Sequence, residues 1–172
     1  MTKDVHTDTN NSVSNILAAV EEFKQRSESD RDVTFILLSN LWDNHRYKIK
    51  YSHLPLDFWL LQYKYNYTAL VGEIMVRLRP GKDKLVLQTQ HSVKPDHVTA
   101  DTIIPMNQIV KSIAGFYNLP IFDEYEILKN YTRNFTSSYL QDDIHQNNRY
   151  SLLIAQHIIS KNWILPSLCP IV

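Results

Sequence analysis

Glycine is scarce in this 172-residue chain: only Gly72, Gly81 and Gly115 occur. That excludes a glycine-rich phosphate loop and leaves the turns to Asn, Asp, Ser and the 7 prolines. Cysteine is scarcer still. The single Cys169 can close neither an internal disulfide nor a Cys-based zinc site. An excess of one charge is missing too, since 18 Lys and Arg balance 18 Asp and Glu and the 7 His are scattered. A broad phosphate-binding surface is therefore not expected, and neither is a nucleic-acid partner. No apolar run reaches the length of a bilayer span, so no membrane span is expected. The opening MTKDVHTDTNNSVSN is polar where a signal peptide would be apolar, and the chain as it stands reads as soluble and cytoplasmic. Four Asn-X-Ser/Thr sequons, at Asn10, Asn66, Asn130 and Asn134, would fit a luminal or secreted protein if an N-terminal segment is missing.

What is present is enough apolar material, 44% of residues, for one domain with a real core. Residues 1–11 read as a flexible leader, 12–165 as a single α/β domain and 166–172 as a tail. Val13, Ile16, Leu17, Val20 and Phe23 recur at helical spacing. The run VTFILL (33–38) is short, continuous and rich in β-branched residues, as a strand buried on both faces must be. From Leu56 to Leu78 there is no proline. Phe58, Leu61, Tyr65 and Ala69 form one stripe there, and Trp59, Tyr63, Tyr67, Leu70 and Ile74 a second; both are expected to face the core. KLVLQT (84–89) makes a second strand, Met106 to Phe116 a helix capped at Asn118, and Leu119 to Phe122 a third strand. A helical turn from Asp123 and a last helix marked by Leu152, Ala155, Ile159 and Trp163 complete the order αβαβαβ(α)α. Such alternation specifies a parallel sheet between helical layers.

Ligands of such sheets lie beyond the carboxyl ends of the strands. The segments to search are therefore SNLWDNHRY, QTQHSVKPDH and the stretch from Asp123, together with the QDDIHQ loop before the last helix. In QDDIHQ, Asp142 precedes His145 by three residues. A tight turn there makes an orienting carboxylate and a general base; an exposed helix cap would use the same residues. In SNLWDNHRY, a side-chain amide of Asn40 or Asn44 either donates to a developing oxyanion or, with Asp43, caps a turn, and Arg46 is placed for an acidic substrate group. FWLLQYKYNY interleaves aromatics with Lys64, but helical spacing makes packing the better account than base stacking. His45 with His53 and His91 with His97 lack helical metal spacing, and no His-Glu-X-X-His string occurs, so no metal and no cofactor is assigned.

The order of these pieces resembles the SGNH, or GDSL-like, hydrolase family over about Val33 to Ile159. VTFILLSNLWDN is similar to the strand and loop of the family's third block, in a branch with a Trp-Asp pair. KLVLQTQ is similar to its fourth strand, MNQIVKSIAGFYNLPIFDEYEIL to the helix, strand and terminal Asp that follow, and YLQDDIHQNNRYSLLIAQHII to its fifth block. The resemblance implies a three-layer αβα fold with a short parallel sheet of flavodoxin-like type, lacking its first strands. It also implies hydrolysis or transfer of an acyl or acetyl ester of a small molecule or carbohydrate, with His145 as base, Asp142 as its orienter and the loop around Asn40 near the oxyanion. The chain departs from the family in four ways. No glycine is followed by Asp and Ser, so the nucleophile motif is absent; the second-block Gly has no counterpart upstream of Val33; the third block lacks its Gly-X-Asn-Asp, so neither Asn40 nor Asn44 falls on the expected place; and Gln146 stands where Pro is common. A fragment, a non-catalytic relative and a sheet completed by a partner all account for the missing block. Without the first strand, the Val33 strand offers an open edge, a place for self-association. A non-catalytic binding module on the same fold, using the aromatic helix and SNLWDNHRY, is the second functional reading.

Overall fold

The computed structural model describes residues 9–26, 33–38, 53, 55–91, 93, 100–129, 139–141 and 146–161. They form α1 (Thr9–Arg26), β1 (Thr34–Leu38), α2 (Leu56–Met75), β2 (Lys84–Gln88), α3 (Ala100–Tyr117), β3 (Ile121–Phe122), α4 (Glu124–Lys129) and α5 (Asn148–Ser160). The strands make one sheet in the order β1-β2-β3. Both pairings are parallel, with Phe35 opposite Leu85, Leu37 opposite Leu87 and Gln88 opposite Phe122.

β2 is the central strand, and its side chains show why the run is apolar on both faces. Leu85 and Leu87 point to one side, where Val20 of α1, Val71 and Ile74 of α2, and Val110, Ile113 and Ala114 of α3 close over them. Val86 points to the other side and is as completely buried. Phe122, paired with Gln88, lies on that second face, and its ring centroid is 5.7 Å from that of His157 on α5. Three helices thus cover one face and α5 reaches the other, the three-layer αβα arrangement expected from the alternation of elements.

Local chemistry fixes the joints. Asn118 has φ 53°, and the N–H groups of Asn118 and Leu119 donate to the carbonyls of Gly115 and Ala114. This is the left-handed Schellman ending that the sequence assigns to Asn118. Between α2 and β2 the turn holds Gly81 at φ 74°. There the Arg79 guanidinium grips both oxygens of Asp83 at 2.7–3.2 Å. Asn147 caps α5 by accepting from the N–H groups of Arg149 and Tyr150.

Three details differ from the sequence reading. α1 begins at Thr9, inside the stretch read as a leader. α3 begins at Ala100 and carries Pro105 within it, so the proline bends the count of helical bonds without ending the helix. The third concerns α2. Its Trp59, Tyr67 and Ile74 stripe is buried, with Tyr63 stacked between Trp59 and Tyr67 at centroid distances of 6.4 and 5.5 Å. The other stripe is not in the core: Leu61 is 61% exposed, Tyr65 73%, and Phe58 and Ala69 are exposed as well. A helix in an outer layer has only one side turned to the sheet, so a second apolar stripe must face outward.

Candidate active site

At the carboxyl ends of β2 and β3 the apolar sheet gives way to polar side chains that are nevertheless buried. Gln88, Thr89 and His91 continue from β2, and Glu124 follows β3; all four are buried. Buried polar groups must find partners. Thr89 donates its hydroxyl to Asp123 Oδ1 over 3.0 Å and accepts from the Tyr125 N–H over 3.1 Å, tying β2 to the start of α4. Asp123 also accepts from the Glu126 N–H and pairs with Lys111 of α3 at 2.5 Å. Asn107 of α3 holds the chain just beyond β2 from both sides, donating to the Gln90 carbonyl and accepting from the Gln90 N–H, each over 2.8 Å.

The centre of this cluster is Glu124, 3% exposed. Its Oε2 accepts from Gln88 Nε2 over 2.6 Å, and its Oε1 lies 3.5 Å from Gln146 Nε2. Burial pushes its carboxyl from the ordinary 4.5 up to about 7, against the opposing pull of the Gln88 amide. Gln146 Nε2 is also 3.2 Å from His91 Nδ1, which Gln90 Nε2 approaches at 3.2 Å as well. Two amide donors aimed at Nδ1 assign the ring proton to Nε2. The His91 ring stands edge-on to Tyr150 of α5 with centroids 5.4 Å apart.

Gln146 is the last residue of QDDIHQ. Leu140 and Gln146 form an antiparallel bridge, and the Asn147 N–H donates to the Tyr139 carbonyl over 2.9 Å. The two ends of that loop therefore meet, and one of them is bonded to His91 and Glu124. The segments that sequence reasoning marks for search, QTQH, the stretch after β3 and the end of QDDIHQ, do converge. Asp142, Asp143 and His145 within the loop lie outside the described residues. So do Asn40, Asp43, Asn44 and Arg46, and the serines Ser39 and Ser92.

Gln88, His91, Glu124 and Gln146 were not singled out from sequence. The signal was there in part: Gln88 and Thr89 directly follow Leu85, Val86 and Leu87, a run apolar on both faces, and share its burial. Gln146 reads as a mere departure from Pro until its two partners are seen. Among the described residues no group of three His, Cys, Asp or Glu could hold a metal ion, and no helix is long and apolar enough to cross a membrane.

Solved structures share this architecture. One is a member of the lipolytic G-D-S-L family from Veillonella parvula, at 14% identity and TM-score 0.61, over 86% of this chain and 73% of that one. Another is a catalytic mutant of an acetylxylan esterase from Geobacillus stearothermophilus, at 16% identity and TM-score 0.61, over 87% of this chain and 66% of that one. A third is an alpha/beta hydrolase enzyme from the metagenome of Lake Arreo, Spain, at 12% identity and TM-score 0.62, over 86% and 66%. The chain thus spans just under two thirds of the length of the latter two. No protein-family model and no curated protein matches the sequence. The fold is an α/β fold of SGNH, or GDSL-like, type: a short parallel sheet with helices.

Proposed function

We propose that this domain serves the hydrolysis or transfer of a carboxylic ester, acyl or acetyl, carried by a small molecule or a carbohydrate. His145 is the base and Asp142 its orienter. A serine Oγ attacks the ester carbonyl while His145 takes its proton, and the tetrahedral adduct collapses as His145 returns that proton to the leaving alkoxide. Water or an acceptor alcohol then releases the acyl group by the same steps. Asn40 and Asn44 are the donors assigned to the oxyanion, with Asp43 and Arg46 beside them for substrate. The sequence has no Gly-Asp-Ser string, so the chain by itself is expected to be inactive.

The observation that carries this reading is the tether of QDDIHQ. Its closing residue Gln146 bonds to His91 and Glu124 at the carboxyl ends of the strands, where the fold's ligands belong. The Geobacillus esterase adds support, because its catalytic mutants include an Asp, a His three positions further on, and a Ser. Asp142 and His145 have that spacing.

A fluorophosphonate probe with mass-spectrometric mapping tests it. The folded chain alone should take no label. Adding a polypeptide that carries a first strand and Gly-Asp-Ser should produce a labelled serine and acetyl-ester hydrolysis, both lost in His145→Ala. Binding of the added polypeptide without label or hydrolysis would instead favour a non-catalytic module on this fold, the reading that the missing Gly-Asp-Ser also suits.

A further inference from the structure

α2 is apolar on the side that meets the sheet and again on the side that meets water. Phe58, Leu61, Tyr65, Thr68, Gly72 and Met75 follow one another at intervals of three, four, three, four and three residues. That alternation is the seam of one helix laid along another. Val76 lies beside its end and is 77% exposed. The stripe borders an open groove of about 900 Å³ that runs over Gly72 to Tyr117 at the end of α3. Phe116, 78% exposed, stands edge-on to Tyr117 with centroids 4.9 Å apart and widens the apolar rim. Exposed apolar surface of this extent marks an interaction site.

We propose that the occupant is a second copy of the same helix, crossing antiparallel about a two-fold axis between Thr68 and Ala69. An antiparallel pair could also set Phe58 against Met75, Leu61 against Gly72 and Tyr65 against Thr68, but that register leaves Lys64 opposite Ala69 and Glu73 opposite Leu60, whereas the axis between Thr68 and Ala69 joins the opposite charges. It sets Leu61 against the second copy's Val76, and Tyr65 against the second copy's Gly72, a large ring over a position without a side chain. The floor of that hollow is the Tyr117 hydroxyl, which would stand 3.1 Å from a Cβ at Gly72. It also brings Lys64 to the second copy's Glu73, twice by symmetry. A parallel pair would oppose like charges at both places. The hydroxyl of Thr68, at the centre, already donates to the Lys64 carbonyl over 2.7 Å and needs no partner across the interface. Twenty residues of helix give a seam about 30 Å long. This suits a reversible dimer, and its aromatic and aliphatic centre with charges at the rim has the usual anatomy of an interface. The surface lies on the side of α2 turned away from the buried Trp59, Tyr67, Val71 and Ile74.

Sedimentation velocity of the full chain over a wide concentration range tests it. The expected result is a reversible dimer that Leu61→Asp abolishes. Lys64→Glu and Glu73→Lys should each weaken it at least about tenfold, and the double charge swap should restore it to within about threefold of the parent. Because Glu73 also pairs with Arg77 at 2.6 Å, thermal melts accompany each variant, and recovery in the double swap separates interface from folding. A chain that stays monomeric throughout would overturn the proposal. So would a dimer indifferent to Leu61→Asp, which would have to use another surface such as the edge of β1, or a double swap no better than its parents.

Discussion

Gln88 at the end of β2 donates its amide to the carboxyl of Glu124 at the start of α4 over 2.6 Å, with both residues buried. One hydrogen bond thus joins the carboxyl end of the central strand to the turn after β3. It does so with a carboxyl that burial keeps near neutrality. Such a group makes stability depend on pH in a defined direction.

Below the ordinary value of 4.5, Glu124 is protonated whether the chain is folded or not. Between 4.5 and about 7 the unfolded chain releases its proton while the folded one keeps it, so stability falls as pH rises. Above about 7 the loss is complete, amounting to about 3 kcal/mol at some 1.4 kcal/mol per pH unit. Glu124→Gln removes the titration. Urea unfolding at pH 5 and pH 8 should show the variant's stability changing with pH by clearly less than that of the parent. An unchanged difference would place the titrating group elsewhere.

Gln146 is itself exposed, yet its amide closes the cluster by reaching His91 Nδ1 and Glu124 Oε1. Gln146→Ala should cost about 1 kcal/mol, the net worth of such bonds. Hydrogen exchange should locate the effect, with the Asn147 N–H that closes onto the Tyr139 carbonyl exchanging faster while β2 amides do not change. Equal acceleration of the β2 amides would mean that Gln146 supports the whole domain and not the loop end.

Thr89 is fully buried, and its hydroxyl is both donor and acceptor between β2 and α4. Thr89→Val keeps the shape and leaves the Tyr125 N–H without its oxygen. About 1–3 kcal/mol should be lost, which chemical denaturation at neutral pH measures directly. Thr89→Ser should retain most of the stability, because only a methyl group is removed.

The fold was legible wherever a residue's surroundings follow from its neighbours in the chain. LVL in β2 is apolar at consecutive positions because that strand is covered on both faces, and its place in a parallel sheet follows. The Asn118 cap was legible because few residues other than Gly and Asn tolerate φ near 53°. The side that α2 turns to the sheet was not legible, since two apolar stripes look alike until a sheet chooses between them. Nor were the partners of Gln146, which stand 55 and 22 positions away in the chain. Strand ends could be marked for search, but distance in sequence hides which polar groups satisfy one another there.

Asn118 supplies a last test, of local conformation alone. Its left-handed φ lets the N–H groups of Asn118 and Leu119 reach the carbonyls that α3 would otherwise leave unsatisfied. Glycine adopts this conformation without a steric penalty, so Asn118→Gly should stabilise by up to about 1 kcal/mol, a rise of about 2–4 °C in Tm for a domain of this size. Asn118→Val carries a β-branched side chain into a region it scarcely enters and should lower the stability by about 1–2 kcal/mol. The two changes should move Tm in opposite directions by calorimetry. A fall for both would mean that the Asn118 side chain, and not only its backbone, holds the end of α3.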